Sequence, residues 1–424
     1  MHESLILKGG RVLDPSSGRD EVADVYISDG VIASRAPVGA RVVDVRGLVV
    51  TPGLIDLHVH LREPGGEEAE TIETGSLAAA RGGFTTIVAM PNTKPSYDTP
   101  EVVSRVKARG LEVGLTHVLP SGAITRERKG REITDFAALK AAGVVALTDD
   151  GSTVQDDVVM EQAMRLAAAL DLVIMDHAQD NLIERQGGVM HEGEYSRKFG
   201  LPGIPTHAET RIIARDIDLA EKTGCALHIQ HVTSAEGADL IRRGRARGVR
   251  VTGELTPHHL VLCDADIDPA NANFKMNPPL RSAKDREALV DALCDGTLSC
   301  FATDHAPHSA EKKARGFLKA PFGLVGLETA IGLTYSTLVQ KGRMGLMSWL
   351  QRWTVEPAKI VGLPVPSLAT GSEANIAVLD LETPWRVEAS AFASKSKNTP
   401  FDGWMLTGRA ISTILGGLLH APPK

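Results

Sequence analysis

The sequence predicts an α/β fold, a (β/α)8 TIM-like barrel with a small β-sandwich-like unit formed by both chain ends. Two observations carry this expectation. Through residues 52–365, apolar strand-like runs alternate with helix-like stretches, whereas residues 1–51 and 366–424 read as short strands and turns. A third observation concerns chemistry: histidine and aspartate recur where the central runs end.

The first segment opens with the apolar Ser4 to Leu7, is expected to turn at Lys8-Gly9-Gly10, and returns through Arg11 to Leu13. Val22 to Ile27 alternates, Ser28-Asp29-Gly30 turns the chain, and Val31 to Ser34 continues. The character changes at Thr51-Pro52-Gly53. Eight apolar runs follow: Gly53 to His60, Thr85 to Met90, Val113 to Leu119, Val144 to Asp150, Leu172 to His177, Ala226 to Val232, Arg250 to Thr256 and Leu298 to Asp304. Between them, Ser76 to Arg81, Ile133 to Ala142, Asp157 to Leu170 and Glu209 to Thr223 read as helices. Near-continuous apolar strands suit a parallel sheet covered on its outer face and packed within. Beyond Pro366, strands are expected at Asn375 to Leu379, Met405 to Thr407 and Ala410 to Leu415, with turns at Gly371, Gly408 and Gly416.

Composition narrows the function. A net charge of -7 lacks the basic excess of a general nucleic-acid binder, and a 4% aromatic share disfavours a stacking platform for single strands. The cysteines Cys225, Cys263, Cys294 and Cys300 show no C-x-x-C spacing, and no apolar run is long enough to span a bilayer. These features, with no leader-like segment before Leu5, lead to the expectation of a cytoplasmic protein with free thiols and no membrane partner.

The chemistry begins at Asp56-Leu57-His58-Val59-His60. Alternate side chains of a strand share a face, so His58 and His60 point the same way, about 6.6–7 Å apart at the backbone. Run four ends in Asp149-Asp150-Gly151, run five in Asp176-His177, run six in Gln230-His231 and run eight in Asp304-His305. Barrel active sites lie at these C-terminal strand ends. Imidazoles and carboxylates gathered from five strands exceed the needs of one catalytic zinc, which takes about three protein ligands. They suit two divalent ions roughly 3.5–4 Å apart that share a water, and the donor types favour zinc. Alternation lets only one of Asp149 and Asp150 face the axis. His228 should face away from His231 as a buried structural residue, His258 and His259 read as a solvated loop, and His117, His191 and His207 have no comparable support.

The blocks Asp56 to Gly65, Met90-Pro91-Asn92-Thr93, Lys275 to Arg281, Ala302 to His308, Pro321-Phe322-Gly323 and Ser394 to Phe401 resemble the amidohydrolase superfamily, and within it the bacterial-type dihydroorotases. The resemblance implies that His58, His60 and Asp304 hold one ion, that His177 and His231 hold the other, and that Asp150 bridges them. It implies Asp304 as the catalytic acid and base, and Arg62, Asn92, Asn277, His308, Phe322 and Gly323 as the substrate-binding set. The conversion implied is dihydroorotate to N-carbamoyl-L-aspartate, in a homodimer that associates with aspartate carbamoyltransferase in some relatives. An allantoinase, a hydantoinase or a silent scaffold for that transcarbamoylase are the competing readings. Many superfamily members bridge their metals through a carboxylated lysine, but the closest lysine here, Lys140, precedes run four, so no modified lysine is expected. The charged stretch 308–321 reads as a mobile rim loop over the site.

Overall fold

The computed structural model describes residues 4–184 and 187–420. The outer ends of the expected 1–51 and 366–424 unit therefore lie outside the described residues.

Eight parallel strands occupy the centre: Leu54–Val59, Phe84–Ala89, His117–Pro120, Ala146–Leu147, Val173–Asp176, Leu227–Ile229, Val251–Leu255 and Cys300–Phe301. The first three pair in order as one sheet, and the last five as another. Single parallel bridges connect them. Gly122 pairs with Leu147 between the third and fourth strands, and Val59 pairs with His305 between the first and eighth. Every residue of the first two strands is buried, which explains why apolar runs without alternation marked them.

Helices lie between the strands and begin where the sequence supplies a cap. Asp156 accepts from the Val158 and Val159 amides to start Asp157–Ala169, and Ser234 accepts from Gly237 to start Ala235–Ala246. The helix Leu346–Trp353 seats Trp353 on the strand layer, its ring stacked 4.8 Å from Phe301 and set edge-on 5.3 Å from Phe84.

Three local expectations differ from the structure. Val113 ends the helix Pro100–Val113, so the third strand is shorter than its apolar run. The turns expected at Gly9-Gly10 and Gly408 lie inside long strands, Leu5–Asp14 and Met405–Leu415. At Gly9 the chain takes φ 74° and the register shifts between Leu7 and Gly10, a bulge that glycine permits without reversing the strand. Gly408 has φ 96° and a side chain there would press on Tyr335.

The two chain ends build one hydrogen-bonded sheet of eight strands. Within it, Val49–Pro52 pairs with Leu5–Asp14 on one side and with Ile376–Arg386 on the other. Strand alternation divides its residues between two cores. Ile376, Val378 and Val50 join Leu5, Leu7 and Ile27, while Ala377, Leu379 and Val49 join the cluster that fills the central α/β body.

Candidate active site

Just past the last residue of the first strand, the chain delivers His60 to the same mouth as His58. The His58 Nε2 atom lies 3.4 Å from Asp150 and 3.5 Å from Asp304, and the His60 Nε2 atom lies 3.0 Å from Asp304 and 3.6 Å from Asp150. His177 approaches Asp150 at 3.7 Å, and the His177 and His231 rings meet at 2.8 Å. Two groups of metal-capable atoms result, His58 with His60 and Asp150, and Asp150 with His177 and His231. Asp150 belongs to both. All of these residues are buried.

The charge pattern is that of a cation site. Burial disfavours a charged His58, yet the Asp304 and Asp150 carboxylates outweigh it and hold its pKa well above the ordinary imidazole range. Burial likewise opposes charge on Asp150, but His58 and His177 keep it well below the usual carboxylate range. Burial, then His177 and His58, push His231 far down, leaving it a neutral imidazole able to donate a lone pair. The buried His58 Nε2 and His231 Nδ1 atoms have no hydrogen-bond partner. Unpartnered imidazole nitrogens among carboxylates fit divalent ions, because a buried polar atom otherwise forfeits its hydration.

A layer beneath aims these ligands. Glu254, fully buried on the seventh strand, accepts from His58 Nδ1 at 2.9 Å, from His228 Nε2 at 2.9 Å and from the His231 amide at 3.1 Å. Asp56 accepts from the Thr303 amide and hydroxyl and from the His58 amide, tying the first strand to the eighth. Asn92 accepts from His60 Nδ1 at 2.9 Å and donates to Asp150 at 3.2 Å. Such outer partners fix the ring orientation of metal-binding histidines. Neither Glu254 nor the support role of Asp56 was foreseen. A carboxylate inside the apolar run Arg250 to Thr256 was the available signal, since a buried charge needs partners.

Asp150, rather than Asp149, faces the cluster; Asp149 turns to the Thr125 amide and hydroxyl. His228 is buried as expected, with both ring nitrogens engaged. His258 and His259 are not solvated. They sit on the helix Pro257–Val261 at 2% and 3% exposure, because that segment tucks under the mouth and His259 meets the Pro278 carbonyl. Lys140 is exposed and reaches the Leu170 carbonyl, away from the cluster.

Every residue singled out above for the site except His58 lines one cavity of about 300 Å³, with His58 buried beneath its floor. Arg62 borders it, 3.4 Å from His308 Nε2. That nitrogen lies 2.8 Å from the Phe322 carbonyl and must donate there, so Arg62 is not bonded to the ring; its Nε donates to the Pro307 carbonyl at 3.3 Å. Asn277 contacts His177 at 3.3 Å. Arg62, His231 and Asp304 all take positive φ, 58°, 32° and 46°. Non-glycine residues hold that conformation at a cost of about 1–3 kcal/mol each, usually where a site demands it. The 308–321 stretch is a partly buried pair of short helices, Ala310–Lys313 and Gly316–Lys319, not an open charged loop.

The fold is shared with solved enzymes. L-hydantoinase (dihydropyrimidinase) from Arthrobacter aurescens aligns with a TM-score of 0.85 and 28% identity, covering 99% of this chain and 96% of that one. D-hydantoinase from a Thermus species aligns with a TM-score of 0.85 at 24% identity, over 98% and 95% of the two chains. Together with the His and Asp cluster, this architecture defines a hydrolase acting on cyclic amides. The sequence is more specific. A family model described as dihydro-orotase-like matches residues 47–237. The dihydroorotase of Bacillus caldolyticus is 51% identical over 400 residues, 93% of each chain, and that of a Geobacillus species (strain WCH70) is 48% identical over 421 residues, 98% of each. The chain belongs to the dihydroorotase family.

Proposed function

We propose that the protein catalyses the reversible hydrolysis of (S)-dihydroorotate to N-carbamoyl-L-aspartate, in the synthesis of pyrimidine nucleotides. The observation that carries this reading is the placement of Arg62 on the rim of a cavity whose floor is the His and Asp cluster. A guanidinium there offers a fork for the ring's carboxylate, while the ring amide meets the cluster.

His58, His60 and Asp304 would hold one ion and His177 with His231 the other, with Asp150 between them; zinc suits this donor set. Bound ions would lower the pKa of a shared water toward about 7 and polarise the ring carbonyl. Asp304, 3.0 Å from His60, is placed to accept a proton as the water oxygen bonds to the amide carbon. The same carboxyl then returns the proton to the ring nitrogen as the C–N bond breaks. Asn92, Asn277, His308 and the Phe322 amide hold the ring, and Gly323, whose own amide and carbonyl are already bonded, lines the cavity beside it. The bridge is an unmodified aspartate, which Asp150's membership of both ligand groups supports.

The eight central strands close into a (β/α)8 barrel over 52–365, a reading supported by the bridges at Gly122 and Val59. Residues 1–51 and 366–424 form a second unit, supported by their common sheet. Among the described residues no helix is long and apolar enough to cross a membrane; a cytoplasmic setting is part of the proposal. A homodimer, with association to aspartate carbamoyltransferase, completes the proposal.

The test is metal content together with dihydroorotate turnover, for the unaltered protein and for Asp304→Asn. About two equivalents of metal in the unaltered protein, and turnover reduced at least about 10²-fold in the variant, are expected for loss of a group that is both ligand and general acid–base. Near-native turnover in the variant would remove Asp304 from proton transfer.

A further inference from the structure

The cavity wall opposite the metal-capable cluster is the backbone segment Pro321–Gly323, and two buried lysines hold it from behind. Lys313 Nζ donates to the Pro321 carbonyl at 3.1 Å and to the Gly323 carbonyl at 3.0 Å. Lys275 Nζ stands 4.5 Å over the Phe322 ring and donates to the Leu318 carbonyl at 3.0 Å. The Lys275 carbonyl in turn accepts from the Gly323 amide at 2.9 Å. His308 takes the Phe322 carbonyl. All three carbonyls of the wall are therefore engaged, Pro321 by Lys313, Gly323 by Lys313 and Asn398, and Phe322 by His308, which itself lines the cavity. Pro321 has no amide hydrogen and that of Gly323 is used, so among the described residues only the Phe322 amide of this wall is left uncommitted.

The lysines are 7% and 3% exposed. No carboxylate offsets either one; burial pushes Lys313 down to about 7 and Lys275 to about 8, and the two oppose each other. Burying two ammonium groups side by side without counter-charge is unfavourable for the fold. Buried, strongly shifted groups beside a cleft mark candidates for a functional role.

We propose that Lys313 and Lys275 are positioning residues that act as one brace, fixing the Pro321–Gly323 wall so that its Phe322 amide meets a bound anionic ring. The brace rests on the reaction assigned above. It acts on binding, so its loss is felt in KM more than in kcat.

The experiment compares kcat, KM for dihydroorotate and metal content in the unaltered enzyme, Lys313→Met, Lys275→Met and the double variant. Each single change is expected to raise KM about tenfold with kcat within threefold and metal content unchanged. The double variant is expected to fall well short of the hundredfold product, because residues sharing one task are non-additive. If Lys313→Met does not fold, Lys275→Met carries the same comparison. Turnover by the unaltered enzyme with an unchanged KM in both single variants would overturn the brace alone, as would a kcat loss tracking lost metal. No turnover by the unaltered enzyme would bring down the assigned reaction and the brace with it.

Discussion

Two layers among the central strands share the carboxylate Glu254, and they use it differently. At the mouth, His58 receives one oxygen on Nδ1 and leaves Nε2 unpartnered among Asp150 and Asp304. One layer down, His228 receives the other oxygen on Nε2 and completes its ring with the Thr252 hydroxyl at 2.8 Å. Both rings are 0% exposed, so burial does not separate them. What separates them is the second nitrogen. A histidine with both nitrogens engaged is finished as structure, whereas one held by a carboxylate on one side and open on the other is prepared to ligate.

The comparison is most exposed to failure at His58. His58→Asn should lose at least one metal equivalent and reduce turnover about 10³-fold or more, since a hydroxide-generating site depends on its ligand set; metal analysis with retained activity would break the distinction between the layers. Glu254→Gln, which keeps the shape but removes the shared charge, should weaken metal affinity by about 10–100-fold, the range for an outer partner of a ligand. Chelator competition measures it. His228→Gln should retain full metal content and lose about 1–3 kcal/mol of stability, the cost of a buried acceptor left short of a donor. Denaturant titration of the metal-loaded protein reads that change, and loss of metal in this variant would merge the two layers into one.

Much of this was legible in the sequence because parallel strands carry their C-terminal ends to one face. His58, His60, His177, His231 and Asp304 each lie at or within two residues of the end of an apolar run, and the fold brings such positions together. His228 is a buried structural residue as expected, but not because it faces away: it shares Glu254 with His58 and is separated from the mouth by its depth in the strand. Alternation was silent on His258 and His259, where a Thr-Pro start was read as solvated although Thr256 caps a buried turn. Glu254 was missed for a related reason: its value lies in three partners, His58, His228 and the His231 amide, none adjacent to it in sequence. The glycines at 9 and 408 were misjudged because a positive φ serves a bulge as well as a reversal, and only the partner strand decides which. The lysine brace left no local mark, since Lys275 and Lys313 meet only through the wall they hold.

The strand Val49–Pro52 runs directly into the one that carries His58 and His60, and it is gripped on one flank by the start of the chain and on the other by Ile376–Arg386. A ribosome has therefore released every ligating side chain before the second flank exists. A chain truncated ahead of Ile376 would hold the same His and Asp set on an entry strand secured from one side only.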